Sequence, residues 1–296
     1  MSEHIHDSAD QLPFNPVARV IWDGSIPIHF ILDKAESAGS EKEPLLIEAP
    51  RCSYLSRLTN QVCRHFQDRR LRSSNDDSEM WYEYEGVPLK WHYPIGLLYD
   101  IHGMQTAAQR GTTDSLLPWK VIVHFKDYPT NKLIKTSAPE NSQDFFMSMI
   151  KEADYLRNGS TKKVMNMSKS DQSHLWEGLW SKNYDLFWSM NQKLVLNDGI
   201  LARHLPIRIY LPDNCPVIQD LVCPMDEDDQ PKTLRHILNA VLPDLFPLDD
   251  RNGSPVAEVI IHGIKPNMDM SVLWAAQNMA YPDNFLHLVI VVGGVQ

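Results

Sequence analysis

Few residues in this sequence have the types and the spacing that catalysis requires. Ser160 and Lys163 form a bare S-x-x-K pair, but they lie in a polar, lysine-rich stretch without the partner motifs of the acyl-transfer enzymes that use it. The glycines fit neither a phosphate-binding loop nor a dinucleotide fingerprint, and neither HExxH nor GxSxG occurs. We therefore expect a non-catalytic protein without a cofactor.

The cysteines and histidines lack the spacing of a redox or metal site. Cys52, Cys63, Cys215 and Cys223 form no CxxC pair, so we expect packed or free thiols. None of the twelve histidines has ligand spacing with a cysteine, so we predict no metal site. A cysteine nucleophile, with a histidine brought close by the fold, stays open as a distant alternative.

A diglycine near the carboxyl end suggests a second alternative. Ubiquitin-like modifiers end in a diglycine that processing exposes, and this chain ends Val292-Gly293-Gly294-Val295-Gln296. Here the diglycine follows the last predicted strand at once, which leaves no flexible arm to enter an enzyme cleft. A modifier precursor is therefore the runner-up function, and an intact Gln296 in the cellular protein would exclude it.

Composition indicates an acidic globular protein. The 296 residues are 43% hydrophobic, and the net charge of −10 argues against a nucleic-acid binder. No apolar run is long enough to span a bilayer and no signal-peptide pattern opens the chain, so we expect a cytoplasmic address. Arg51, Arg57 and Arg64 belong to a basic strip within residues 51–72, which would suit anionic lipid or an acidic partner.

Two stretches repeat the order of hairpin, helix and further strands that is typical of a β-grasp fold. In the first stretch an apolar stripe at helical spacing predicts a helix over 55–66. In the second, Thr233 is placed to cap a helix that begins at Leu234. Alternating apolar residues predict the strands, near 26–32, 45–47, 81–84, 87–91, 121–125, 207–211, 217–222, 259–261 and 286–292.

The middle of the chain differs from both repeats because its apolar residues recur at helical spacing. Phe145, Met149, Ala153 and Leu156 share one helical face, and a second helix is predicted over about 170–196. We therefore expect an α+β protein in which two ubiquitin-like β-grasp domains flank a helix-rich domain, with a short N-terminal helix. The predicted divisions are 1–20 for the N-terminal segment, 21–128 for the first ubiquitin-like domain, 129–140 for a connector, 141–198 for the helical domain and 203–294 for the second ubiquitin-like domain.

Six segments carry a family resemblance across about residues 15–292. They are 22–27 (WDGSIP), 83–98 (EYEGVPLKWHYPIGLL), 147–153 (MSMIKEA), 205–210 (LPIRIY), 261–264 (IHGI) and 281–287 (YPDNFLH). Together they resemble the autophagy protein five family. The resemblance implies a scaffold that is joined to the ubiquitin-like autophagy protein twelve through a lysine isopeptide bond and that binds the N-terminal helix of autophagy protein sixteen.

The resemblance also implies a role for the conjugate. It would act as an E3-like factor that promotes transfer of an autophagy ubiquitin-like protein to phosphatidylethanolamine, with the autophagy E1 and E2 enzymes as transient partners. It would work in the cytoplasm, peripherally on the preautophagosomal or isolation membrane, and no nucleic acid is implied.

From the resemblance we place the acceptor lysine in the connector, just after the sequence His-Phe-Lys-Asp-Tyr-Pro at 124–129. Lys132 is the best match, although an ungapped reading puts Asn131 at the acceptor position, one residue early. Lys135 and Lys126 stay open, and Lys126 would close a strand. A loop suits the chemistry because the ε-amine must reach an E2 thioester.

The partner helix should lie in an apolar groove where the ubiquitin-like domains and the helical domain converge. Trp91, Trp180 and Trp188 are the predicted groove residues, with packing inside a core as their alternative role.

Overall fold

A computed structural model describes residues 16–37, 42–66, 80–111, 116–135, 140–195, 202–213, 215–248 and 257–293. In these ranges two β-grasp domains flank a helical bundle, which confirms the predicted α+β class. No helix in these ranges has both the length and the apolar character that crossing a membrane would take.

A short helix, α1 (Pro16–Asp23), precedes the first sheet. It extends three residues beyond the predicted N-terminal segment of 1–20, and Trp22 is only 5% exposed because it enters the core of the helical bundle. The part of the predicted N-terminal helix before residue 16 lies outside the described residues.

The first domain has a five-stranded sheet in the order β2-β1-β5-β3-β4. The central pair, β1 and β5, is parallel and places Ile28 beside Trp119, and both side chains are fully buried. The predicted strands are confirmed, except that β4 ends before Trp91. The strands are β1 (Ser25–Leu32), β2 (Leu45–Pro50), β3 (Trp81–Tyr84), β4 (Val87–Pro88) and β5 (Trp119–His124).

Two helical segments cover this sheet. The predicted one is a 3₁₀ turn over Leu55–Arg57 followed by α2 (Thr59–Phe66), and its apolar stripe is at most 5% exposed. The other was not predicted and is a continuous run of α3 (Ile95–Tyr99), a π-helical turn (Asp100–Met104) and α4 (Gln105–Gln109). Its first five residues, 95–99, are consecutive and all buried rather than arranged in a stripe, so helical periodicity gave no signal there.

The helical bundle contains four helices in the described residues. The long helix predicted over 170–196 is in fact two helices, because Lys182 has a left-handed backbone with φ of 61°. Asn183 then caps the second helix by accepting a hydrogen bond from the Leu186 N–H at 3.1 Å. The four are α5 (Glu140–Asn158), α6 (Lys162–Met165), α7 (Lys169–Ser181) and α8 (Tyr184–Val195).

The second ubiquitin-like domain has a three-stranded sheet in the order β6-β8-β7. Residues 217–222, predicted as a strand, form only isolated bridges at Ile218 and Val222. The polar pair Gln219 and Asp220 interrupts the apolar run there, and Gln219 instead bonds Arg208 and Glu152 through its side chain. The elements are β6 (Ile207–Tyr210), α9 (Leu234–Val241), β7 (Ala257–Ile260), α10 (Val272–Asn278) and β8 (Leu286–Val292).

Candidate functional site

The connector after β5 is held against the protein by several hydrogen bonds. The backbone carbonyl of Ile134 accepts one from the Trp91 indole N–H at 2.8 Å and one from the Tyr128 hydroxyl at 2.7 Å. The amides of Lys132 and Leu133 both donate to the Pro129 carbonyl at 2.9 Å. A fixed turn therefore presents the connector side chains.

Leu133 and the lysines near this turn differ in exposure. Leu133 is 5% exposed and anchors the turn, whereas Lys126, Lys132 and Lys135 are all exposed. The Lys126 carbonyl accepts a hydrogen bond from the Trp81 indole at 2.8 Å, so that residue is held where β5 ends. All three predicted lysines are therefore exposed to solvent.

The three predicted tryptophans lie in different places and do not form one groove. Trp91 holds the connector and makes an edge-to-face contact with Phe145 of α5, with centroids 6.0 Å apart. Trp180 contacts Trp176 within α7. Trp188 alone lies where α1, α8 and the second ubiquitin-like domain converge.

At that convergence there is a cavity of about 50 Å³ with mainly apolar walls. Ile21 and Trp22 come from α1, Phe187 and Trp188 from α8, and Ala276 from α10. Sequence periodicity did not identify Ile21 and Trp22 as lining residues, because Pro13 and Pro16 suggested only a weak helix near the N-terminus. These elements leave an apolar recess between domains, which is the usual setting of a ligand or peptide site.

The predicted basic strip does not exist as one surface in the described residues. Arg51 is largely buried and bonds the Asp100 carboxylate at 2.6 and 2.7 Å, so its assignment to an exposed strip was wrong. Arg57 donates to the Trp180 carbonyl at 2.6 Å and so ties the first domain to the bundle. Of the three, only Arg64 is exposed, and residues 67–79 lie outside the described ranges.

The contact of Arg51 with Asp100 lies at the boundary of the two ubiquitin-like domains. The same carboxylate accepts the Gly263 N–H of the second domain at 2.9 Å. Burial raises the pKa of Asp100 to about 6, against the opposing effect of the Arg51 charge. Sequence reasoning missed Asp100, although a single acid between apolar residues 95–101 was a usable signal.

A second polar network joins the bundle to the second ubiquitin-like domain. The side chains of Asn191 and Asn284 form reciprocal amide bonds of 2.9 and 3.0 Å, and both residues are 3% exposed. Next to it, His287 contacts the Asp283 carboxylate at 3.0 Å and the Tyr210 hydroxyl at 2.9 Å. The Asn191–Asn284 pair therefore fixes α8 against the second ubiquitin-like domain, and the contacts of His287 order that domain beside the pair.

Cys52, Ser160 and the residue before the diglycine, three features considered for chemistry in the sequence, have defined surroundings in the structure. Burial raises the pKa of Cys52 to about 12, so its thiol is not a nucleophile at neutral pH. Ser160 accepts a hydrogen bond from the Lys162 N–H at 3.2 Å. The backbone N–H and C=O of Val292 both bond the Gln105 side chain, so the diglycine begins directly after an anchored residue. Residues 294–296 lie outside the described ranges.

Models of one family match all three parts of the chain. They are "Autophagy protein ATG5, UblA domain" over residues 21–125, "alpha-helical bundle region" over 139–197 and "UblB domain" over 204–290. The chain belongs to the autophagy protein 5 family. The matched parts coincide with the two β-grasp domains and the bundle, so autophagy is the process in which this member acts.

Relatives and a solved structure agree with this membership. The chain is 36% identical to autophagy protein 5 of Phaeosphaeria nodorum, over 93% of this chain and 96% of that one. It is 32% identical to autophagy protein 5 of Drosophila melanogaster, with the same coverages. The crystal structure of Kluyveromyces marxianus Atg5 has the same fold, with a TM-score of 0.77 at 23% identity over 93% of this chain and 99% of that one.

Proposed function

We propose that this chain is a non-catalytic scaffold that is joined to the ubiquitin-like autophagy protein twelve through one lysine. Together with autophagy protein sixteen, the conjugate promotes E3-like transfer of an autophagy ubiquitin-like protein to phosphatidylethanolamine. Family membership supports the process, and the exposed lysine on a fixed connector supports the covalent step. The conjugate would act peripherally on the isolation membrane.

The covalent step needs an accessible amine and little else from this chain. The ε-amine attacks the thioester carbonyl between the modifier and the E2 enzyme, loses a proton, and expels the E2 cysteine as a thiolate. Lys132 meets this requirement because it is exposed and its backbone is fixed by the bond to Pro129. A fixed backbone lowers the entropy cost of presenting the amine.

A second lysine meets the same requirement. Lys151 is exposed on α5 and lies within 147–153, one of the segments that carry the family resemblance. By contrast, Lys132 matches the acceptor position only after a shift of one residue. The adjacent Glu152 binds Arg208 at 2.9 Å, so this part of α5 is held on the second ubiquitin-like domain.

Reconstitution with the modifier and the autophagy E1 and E2 enzymes tests both lysines. We expect the wild-type chain to form one larger adduct, and Lys132→Arg to abolish it while Lys151→Arg leaves it. Loss with Lys151→Arg instead would move the acceptor to α5 and leave the conjugation proposal standing. An adduct that still forms when Lys132, Lys151, Lys126 and Lys135 are all changed to arginine would contradict every one of these sites. A tryptic map of that adduct would then identify the branched residue.

The partner helix is proposed to bind the recess at the convergence of α1, α8 and the second ubiquitin-like domain. Trp188 is the predicted groove residue that lines this recess. Trp188→Ala should weaken binding of the N-terminal peptide of autophagy protein sixteen at least tenfold, as expected for a buried aromatic anchor. Trp180→Ala is the matched control, since Trp180 does not line the recess; equal losses in both folded variants would reject this location.

A further inference from the structure

Three side chains converge where β1 and β5 end, beside the start of the connector. They are Asp33, Glu36 and His124, and one potential ligand atom from each lies within 4.8 Å of the other two. Parallel neighbouring strands end at the same edge of a sheet, so the two segments meet there although 91 residues separate Asp33 from His124. Such separation is why sequence spacing predicted no metal site.

The distances within this cluster are too long for hydrogen bonds. His124 Nδ1 lies 3.7 Å from Asp33 Oδ2 and 3.8 Å from Glu36 Oε1. Two bonds of about 2.0–2.2 Å at a tetrahedral angle hold their ligand atoms about 3.3–3.6 Å apart. These two separations are therefore close to those of ligands around one ion, and all three atoms lie within 4.8 Å of one another.

The ligand atoms are held in place by surrounding groups. The Phe125 N–H lies 3.1 and 3.0 Å from the two oxygens of Glu36, and the Asp33 N–H donates to the Val123 carbonyl at 3.0 Å. Trp81 stacks on the imidazole of His124, with ring centroids 3.9 Å apart and planes 8° from parallel. Contacts of this kind orient metal ligands in established sites.

The carboxylates around the His124 imidazole also favour a bound cation. Glu83 lies on the far side, with an oxygen 3.3 Å from His124 Nε2, so three carboxylates surround one ring. Nε2 is buried and has no hydrogen-bond partner among the described residues. The His124 and Glu36 side chains are only 13% and 11% exposed, which makes unneutralised charge costly there.

We propose that Asp33, Glu36 and His124 form a divalent transition-metal site, with Zn²⁺ as its ion. One imidazole nitrogen with two carboxylates suits Zn²⁺, whereas Mg²⁺ and Ca²⁺ prefer oxygen ligands alone. Three protein ligands leave the fourth position of a tetrahedral ion for water or a partner group. Because Glu36 also holds the Phe125 N–H, the ion would fix the residue that directly follows β5.

Zinc titration of the full chain tests the site. The exposed thiols of Cys215 and Cys223 would bind zinc independently, so every protein tested carries Cys215→Ser and Cys223→Ser. In this background we expect one equivalent of Zn²⁺ by equilibrium dialysis with elemental analysis. His124→Gln should weaken that binding at least tenfold, and so should Glu36→Gln, which retains an oxygen to accept the Phe125 N–H.

His29→Gln is the matched control, since His29 lies on β1 outside the cluster. Cobalt provides a second readout, because Co²⁺ at this site should give a visible tetrahedral spectrum that His124→Gln removes. The proposal is wrong if the folded parent binds no stoichiometric zinc. It is also wrong if His124→Gln and His29→Gln bind zinc equally well, since His124 would then not be a zinc ligand.

Discussion

The Arg51 guanidinium and the Asp100 carboxylate form a buried ion pair, 2.6 Å apart, whose side chains are only 12% and 2% exposed. The pair lies against Gly263 of the other ubiquitin-like domain, where an added Cβ would lie 3.1 Å from Arg51. This contact joins the two β-grasp domains.

Asp100→Asn should destabilise the protein by about 3–5 kcal/mol. The change leaves the Arg51 charge buried without its partner, and that cost exceeds the net value of the pair. Urea unfolding measures it. Asp269→Asn is the matched control, because its pair with Arg235 is exposed and should cost less than about 1 kcal/mol. Equal costs for the two variants would contradict a structural role for the buried pair.

Gly178→Ala should destabilise the bundle by about 1–3 kcal/mol. An added Cβ would lie 2.5 Å from the backbone nitrogen of Phe187, so α7 and α8 must separate. The gain in helix propensity, about 1 kcal/mol, does not offset this cost. Gly293→Ala is the control, since open space surrounds that position; thermal unfolding that ranks the two variants alike would contradict the prediction.

Trp91→Phe should loosen the connector. The ring remains to contact Phe145, but the hydrogen bond to the Ile134 carbonyl is lost, at a cost of about 1 kcal/mol. Hydrogen exchange over residues 129–135 should become faster. Trp188→Phe is the matched control, because the Trp188 indole nitrogen has no hydrogen-bond partner among the described residues. Unchanged exchange in Trp91→Phe would show that other contacts hold the connector.

Acidification below pH 6.5 should destabilise the fold through three partly buried histidines. Burial lowers the pKa of His92 and of His102 to about 4, and that of His262 to about 3. The unfolded state therefore binds more protons as pH falls from 6.5 towards 4, and stability is lost. Asp100 acts in the opposite direction between pH 6 and 3.8, because burial raises its pKa.

Near pH 5 the three histidines and Asp100 together give the unfolded state about two more bound protons than the folded state. The free energy of unfolding should therefore fall by at most about 3 kcal/mol for each pH unit of acidification. Urea unfolding at pH 7, 6 and 5 measures the slope. His262→Gln should reduce the slope, whereas the same change at the exposed His65 should leave it unaltered. A slope that His262→Gln does not change would contradict the assignment.

Local patterns in the sequence were sufficient for most elements of the fold. The stripe Leu55, Leu58, Val62 and Phe66 is buried as its spacing predicted, and Thr233 caps α9 by accepting the His236 N–H at 3.3 Å. Strand alternation and capping act between residues a few positions apart, so they can be read without the fold. The resemblance supplied the family, which the comparisons confirm.

Only the tertiary structure decided which residues are buried, which charges are paired and which distant residues meet. The sequence alone suggested that Arg51 was exposed, but the second ubiquitin-like domain covers it and Asp100 neutralises it. Likewise, the separation of Trp91 from Trp188 and the meeting of Asp33 with His124 depend on how distant segments pack. The physical reason is that burial and charge pairing are long-range properties: a residue's own type sets what it can do, and its distant neighbours decide which of these roles it takes.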